Sequence, residues 1–198
     1  MKAKVTILFF ATILTQLFMA CCDCPDTNEI QYKFEYATAY NLDNSGEFPV
    51  VSESPILKNA YGIRLQIGLR QVSVQDRKHF SLFNQAYAVC CICGPDTIIS
   101  PRDTITSLTV TTTARFDNGH AEGSDVTDMF KVLKYNKYID VDSVVANPAF
   151  YHKRTETTFL EMYLLTPPDQ PGQHSFQVDI ALSNNTHLFA TTKPIELK

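Results

Sequence analysis

Tyr61, Ile63, Leu65, Ile67 and Leu69 alternate strictly with Gly62, Arg64, Gln66, Gly68 and Arg70. Successive side chains of a strand point to opposite faces, so this run separates an apolar face from a polar one only as a β-strand. A helix would scatter the same five apolar residues around its circumference. The same period recurs along the chain. Ile30, Tyr32, Phe34 and Tyr36 share one phase, with Gln31, Lys33 and Glu35 in the other. From Ile105 and Thr106 a further strand keeps Leu108, Val110, Thr112, Ala114 and Phe116 in phase through a threonine-rich run, and threonine suits a pleated surface. Phe176, Val178, Ile180 and Leu182 alternate again, and Asn184-Asn185 turns the chain into Leu188–Thr192, which predicts a hairpin over 174–193.

Weaker strand signals lie at 85–93, closed by Gly94-Pro95, at 138–145, and at 157–165, whose apolar content predicts burial on both faces. The punctuation is equally regular. Asn41–Gly46 and Asp117-Asn118-Gly119 read as turns, Glu47–Asn59 as a loop interrupted by Pro49 and Pro55, and Thr166–Gly172, with three prolines, as a breaker. One helical segment is expected at 126–133, where Val126, Met129, Phe130 and Leu133 fall at helical spacing behind Ser124 or Asp125 as cap. With about eight to ten strands and one short helix, the fold class is all-β. The expected architecture is a single immunoglobulin-like β-sandwich with long loops over residues 30–198.

The first twenty residues read as an export signal. Lys2 and Lys4 precede an apolar run from Val5 to Phe18, and Ala20 is the small residue before Cys21. The run is about 14 residues long, short of the ~20 that span a bilayer, so a cleaved leader is the better reading. Cys21 is then the acylated first residue of the mature chain, anchored in lipid, with residues 21–29 as a cysteine-rich tether. Phe18 and Met19 are bulkier than the usual lipobox residues. The leader carries two of the 17 basic residues and none of the 21 acidic ones, so the remainder is more acidic than the whole chain's net −4. Such a surface repels phosphate backbones, and nucleic acid is not an expected partner.

Cys21-Cys22-Asp23-Cys24-Pro25-Asp26-Thr27 is echoed by Cys90-Cys91-Ile92-Cys93-Gly94-Pro95-Asp96-Thr97. Outside the cytoplasm paired cysteines oxidise, so Cys22, Cys24, Cys90, Cys91 and Cys93 are candidate disulfide partners. A bridge between the clusters would close a loop of about 70 residues, worth some 4 kcal/mol in the chain-entropy picture. Free thiols, or a metal held by the two Cys-x-Cys pairs, are the alternatives; zinc sites favour wider spacing. Five thiols cannot all pair within one chain.

Other patterns point to ordinary structure. Asn41-x-Asp43-x-Ser45-Gly46 lacks the bidentate acid of a calcium loop, Ser52 standing in its place. His79, His120, His152, His174 and His187 are scattered without ligand spacing, and Asp140 and Asp142 read as solvated strand carboxylates. No nucleophile elbow, phosphate loop or dinucleotide fingerprint occurs, and no cofactor is expected.

The leader with its cysteine-rich start, Leu42-Asp43-Asn44-Ser45-Gly46, Ala60-Tyr61-Gly62-Ile63-Arg64-Leu65, the segment Ala88 to Cys93, Asp103–Leu108, Ala121-Glu122-Gly123-Ser124-Asp125-Val126 leading to Met129-Phe130, and the end at Thr192-Lys193-Pro194-Ile195 together resemble an uncharacterised family of Bacteroidetes lipoproteins, a domain of unknown function. The resemblance implies an envelope lipoprotein without an assigned activity and carries no catalytic residues. The expected function is a membrane-anchored, non-catalytic binding or assembly module with an envelope protein or glycan as partner. The alternative is a glycan-directed hydrolase with loop carboxylates. The resemblance also bears on the membrane side: surface-exported lipoproteins of this phylum carry acids just after the lipidated cysteine, and only one acid, Asp23, follows Cys21 closely, which favours the periplasmic side of the outer membrane over the cell surface.

Overall fold

The alternating runs pair as their period predicts. A computed structural model describes residues 28–76, 97–145 and 157–198, with side chains over 30–72, 100–145 and 157–198. The chain divides into two compact units, Met1–Ile30 with Ser73–Ile99 and Gln31–Val72 with Ser100–Lys198. The strands are β1 (Asn28–Asp43), β2 (Val50–Val51), β3 (Tyr61–Asp76), β4 (Thr97–Pro101), β5 (Ile105–Thr112), β6 (Phe130–Lys134), β7 (Lys137–Asp140), β8 (Thr157–Leu164), β9 (Gly172–His174), β10 (Phe176–Leu182), β11 (His187–Thr191) and β12 (Ile195–Leu197), with one short helix α1 (Val141–Val145).

The larger sheet runs β2-β1-β3-β8-β6-β7, with β4 also on β1; β11-β10-β5 form a second sheet and β12-β9 a third. The β1–β2, β3–β8, β6–β8, β6–β7, β5–β10, β10–β11 and β9–β12 pairs are antiparallel. The described residues are thus mostly β, in antiparallel sheets with one short α-helix. Among the described residues no helix is long and apolar enough to cross a membrane.

The first two sheets share one core. Ile63, Leu65 and Ile67 of β3, Leu160 and Met162 of β8, Leu108 and Val110 of β5, and Val178 and Ile180 of β10 are buried in a single cluster. Phe176 sits at its centre, its ring 5.3 Å from Tyr61 of β3, 5.4 Å from Phe130 of β6 and 6.4 Å from Phe116. The Phe130 and Phe116 rings meet it edge-on, at 82° and 71°, and add edge-to-face attraction to the area they bury. The predicted hairpin forms between β10 and β11, with Ala181 opposite His187 and Asn185 at positive φ in the turn. β8 is apolar as expected but not buried throughout, since Phe159 is half exposed.

Two expectations need correction. The segment 126–133 is not a helix: only a single 3₁₀ turn, Thr127–Met129, forms, and Phe130 already begins β6. The helical spacing is overridden by pairing, because the Val126 N–H donates to the Val110 carbonyl at 2.8 Å and the Val110 N–H to the Thr127 hydroxyl at 2.7 Å. The helix lies later. The strand expected at 138–145 stops at Asp140 and continues as α1, which buries Val141, Val144 and Val145. Between β6 and β7 the chain reverses in two residues, Tyr135 and Asn136, at φ 51° and 59°. That is the backbone of a tight hairpin turn, usually supplied by Asn-Gly.

Candidate functional site

The core claims one face of the larger sheet, and alternation leaves the other to the outside. Because Ile63, Leu65 and Ile67 point inward, Gly62, Arg64, Gln66 and Gly68 face out. Register then places Tyr163 opposite Gly62, Glu161 opposite Arg64 and Phe159 opposite Gln66. On the far side, Lys131 lies beside Tyr163 and Asp140, and Leu133 opposite Tyr138. In β1 the inward positions change phase, from Phe34 to Ala37 and Ala39. Tyr36 and Tyr40 therefore join the outer face, although the sequence put Tyr36 in phase with buried Phe34.

Gly68 explains how Tyr36 lies. A Cβ at Gly68 would stand only 2.1–2.6 Å from three atoms of the Tyr36 ring, so the glycine is the hollow in which that ring lies. Tyr36 remains 46% exposed and Phe159 49%. The Tyr40 hydroxyl reaches Gln66 Oε1 at 3.3 Å. Three accessible rings thus surround one side-chain amide.

Three pairs of opposite charge close on this face. Arg64 donates through Nε and Nη2 to Glu161 Oε1, at 2.8 and 2.6 Å, and the Tyr163 hydroxyl donates to Glu161 Oε2 at 2.8 Å. Burial, and then the bond to Glu161, push the Tyr163 phenol well above its ordinary value, so it stays a donor. Arg70 pairs with Glu35 at 3.0 Å, and Lys131 with Asp140.

Beyond Lys131 and Asp140 a cleft of about 430 Å³ opens, lined also by His120, Asp125, Thr127, Asp128, Phe130, Val141 and Asp142. Asp140 and Asp142, read from sequence as solvated carboxylates, both reach it. Asp125 accepts the N–H of Thr127 at 2.8 Å and its hydroxyl. His120 closes the turn predicted at Asp117–Gly119: its ring lies 2.9 Å from the Asp117 carboxylate, which also takes the N–H groups of Gly119 and His120 at 2.7 Å each. The His120 ring bond, with those N–H groups, holds the Asp117 carboxyl below its ordinary value against the opposing effect of burial.

The other sequence candidates fall elsewhere. Cys21, Cys22, Cys24, Cys90, Cys91, Cys93, His79 and His152 lie outside the described residues. Among the described residues no group of three or more His, Cys, Asp or Glu could hold a metal ion. The Asp43 turn is an Asx turn, its carboxylate accepting the Ser45 N–H at 2.9 Å. His187 pairs with Asp179 across the β10–β11 hairpin.

His174 is different. It is 4% exposed, stacked on Phe176 and edge-on to Phe116, and its Nδ1 has no hydrogen-bond partner among the described residues. Burial lowers its pKa below the ordinary 6.5, outweighing the opposite effect of a backbone bond to Gln170. The unfolded chain therefore binds this proton at higher pH than the folded one. Stability falls as pH drops below 6.5 toward the folded value, and above 6.5 the residue contributes no pH dependence. We expect His174→Gln to flatten that part of a stability-against-pH profile measured by urea unfolding; an unchanged wild-type slope in the variant would show that His174 is not its source.

The face of rings was the part that sequence reasoning missed. Its one signal was the pair of strand glycines, Gly62 and Gly68, on the polar side of the clearest strand. No curated protein and no solved structure matches the chain. A family model described as a domain of unknown function, DUF5034, matches residues 35–193, which takes in the outer face and the cleft. The chain belongs to the DUF5034 family.

Proposed function

We propose that this protein is a non-catalytic binding or assembly module of a bacterial envelope, of the Bacteroidetes lipoprotein type and held to the outer membrane by acylated Cys21. The observation that carries the binding role is the outer sheet face, where half-exposed Tyr36 and Phe159 flank Gln66 amid charges closed in pairs. Rigid aromatic groups offer contact area at little conformational cost. The scaffold in this reading is a β-sandwich, immunoglobulin-like in having two antiparallel layers over one core. The leader, Cys21 and the paired cysteine clusters support the anchored, exported topology, with the periplasmic side favoured.

The hydrolase alternative draws on the cleft. A glycosidase needs one carboxyl kept protonated by burial opposite a second that is ionised. Asp125, Asp128, Asp140 and Asp142 are all exposed, and Asp140 closes on Lys131. The cleft is better accounted for as the rim of the binding face.

Affinity capture from detergent-solubilised envelope tests the role. A partner retained by the wild type and lost from Phe159→Ala is the expected result. Cleavage of any polysaccharide by the purified protein, abolished by Asp140→Asn or Asp142→Asn, overturns the non-catalytic reading.

A further inference from the structure

Resting on the binding-module reading, we propose that the outer face of the larger sheet binds an uncharged glycan, with sugar rings stacked on Tyr36 and Phe159 and hydroxyls engaged by Gln66 and Tyr40. Charge decides the class of ligand. Among the described residues beside the rings, three pairs of opposite charge close on this face: Arg64 on Glu161, Arg70 on Glu35 and Lys131 on Asp140. Neither a polyanion nor a polycation gains by replacing those neighbours. The complement of such a face is itself uncharged.

Geometry decides the rest. The Tyr36 ring has one side against Gly68 and the other open, a flat platform set into the sheet rather than a side chain standing off it. Phe159 lies opposite Gln66 in register, and Tyr40 bonds the same amide. Apolar faces thus alternate with a fixed donor and acceptor across three adjacent strands. A pyranose presents the same alternation, C–H faces bordered by hydroxyl edges.

Affinity electrophoresis of the full chain against soluble β-glucan, starch, mannan, galactan and xylan, with polygalacturonate as the charged control, tests the assignment. At least one neutral polysaccharide is expected to retard the protein, with binding unmoved by added salt because no charge is exchanged. Tyr36→Ala and Phe159→Ala are each expected to weaken binding about tenfold, the worth of one stacked ring. Gly68→Ala, which lifts the Tyr36 ring without deleting it, is expected to do the same while thermal unfolding stays close to wild type. Binding to the charged control alone, or affinity for a neutral polysaccharide unchanged in these variants, overturns the proposal. If no polysaccharide binds while Phe159→Ala still abolishes capture of an envelope protein, the glycan assignment fails and the binding module stands. If a polysaccharide is bound and cleaved, the non-catalytic reading fails and the stacking face stands.

Discussion

Phe176→Ala is expected to destabilise the fold by about 3–5 kcal/mol, the range for truncating a buried aromatic side chain. Phe176 has no exposed surface, and its ring is where the two sheets meet: Tyr61 and Phe130 approach from the larger sheet, Phe116 and His174 from the segments beside it. Its backbone is fixed as well, since Thr192 donates to its carbonyl at 2.9 Å and accepts its N–H through the side chain at 2.9 Å. The segment cannot collapse into the space the ring leaves, and a persistent cavity adds its own cost to the lost transfer energy. In a domain of this size the loss lowers the melting temperature by on the order of 10 °C. Phe176→Leu, which fills part of the space without a ring, falls between the two. Phe189 on the neighbouring strand is the control. It is largely exposed, so Phe189→Ala is expected to stay within about 0.5 kcal/mol of wild type. Chemical unfolding of the three variants decides the matter. A Phe176→Ala protein as stable as Phe189→Ala would mean that the sheets do not share this core.

That core was largely legible in the sequence, and the outer face was not. Ile63, Leu65, Ile67, Val178 and Ile180 declare their side by alternation alone, because a one-residue slip would carry each of them into water. The β10–β11 hairpin was equally open, with Asn184-Asn185 marking its turn. Where the structure departs from expectation, a distant partner prevailed over a local signal. Val126, Met129, Phe130 and Leu133 carry helical spacing, but Val110 supplies hydrogen bonds that hold the segment against β5. Tyr135-Asn136 turns tightly without a glycine, so the dipeptide that would announce a hairpin is missing. Tyr36 continues the phase of buried Phe34 in the sequence and faces out in the fold, because the inward positions of β1 change phase before Ala37. Pairing of Phe159 with Gln66 is a matter of register between remote strands, which no local pattern encodes. The site is assembled from such pairings, and this is why residue types alone pointed to the cysteines instead.

The two outward glycines of β3 should respond to the same substitution in opposite ways. At Gly62 a Cβ would stand 2.8 Å from the Met162 carbonyl oxygen, with Leu42 side-chain atoms at 3.5 Å. The obstacle is the backbone of the paired strand, so relief requires β3 and β8 to separate where Gly62 faces Tyr163. Neighbouring pairs resist this, since Ile63 opposite Met162 and Arg64 opposite Glu161 are held by the core on one side and the ion pair on the other. Gly62→Ala is therefore expected to cost roughly 2–3 kcal/mol, as overpacking against an immobile neighbour does. At Gly68 the obstacle is the half-exposed Tyr36 ring, which can swing into solvent. The packing of that ring on the strand is then given up, but the lower conformational entropy of alanine in the unfolded chain offsets part of the cost. Gly68→Ala should therefore stay within about 1 kcal/mol of wild type. Unfolding and binding measured on both variants separate the roles. Gly62→Ala loses stability and, where folded, keeps Tyr36 in place to meet its ligand. Gly68→Ala keeps stability and loses binding. Equal destabilisation by the two substitutions would mean that the Tyr36 ring is fixed as firmly as the strand beneath it, and that the glycine serves packing instead of presenting a surface.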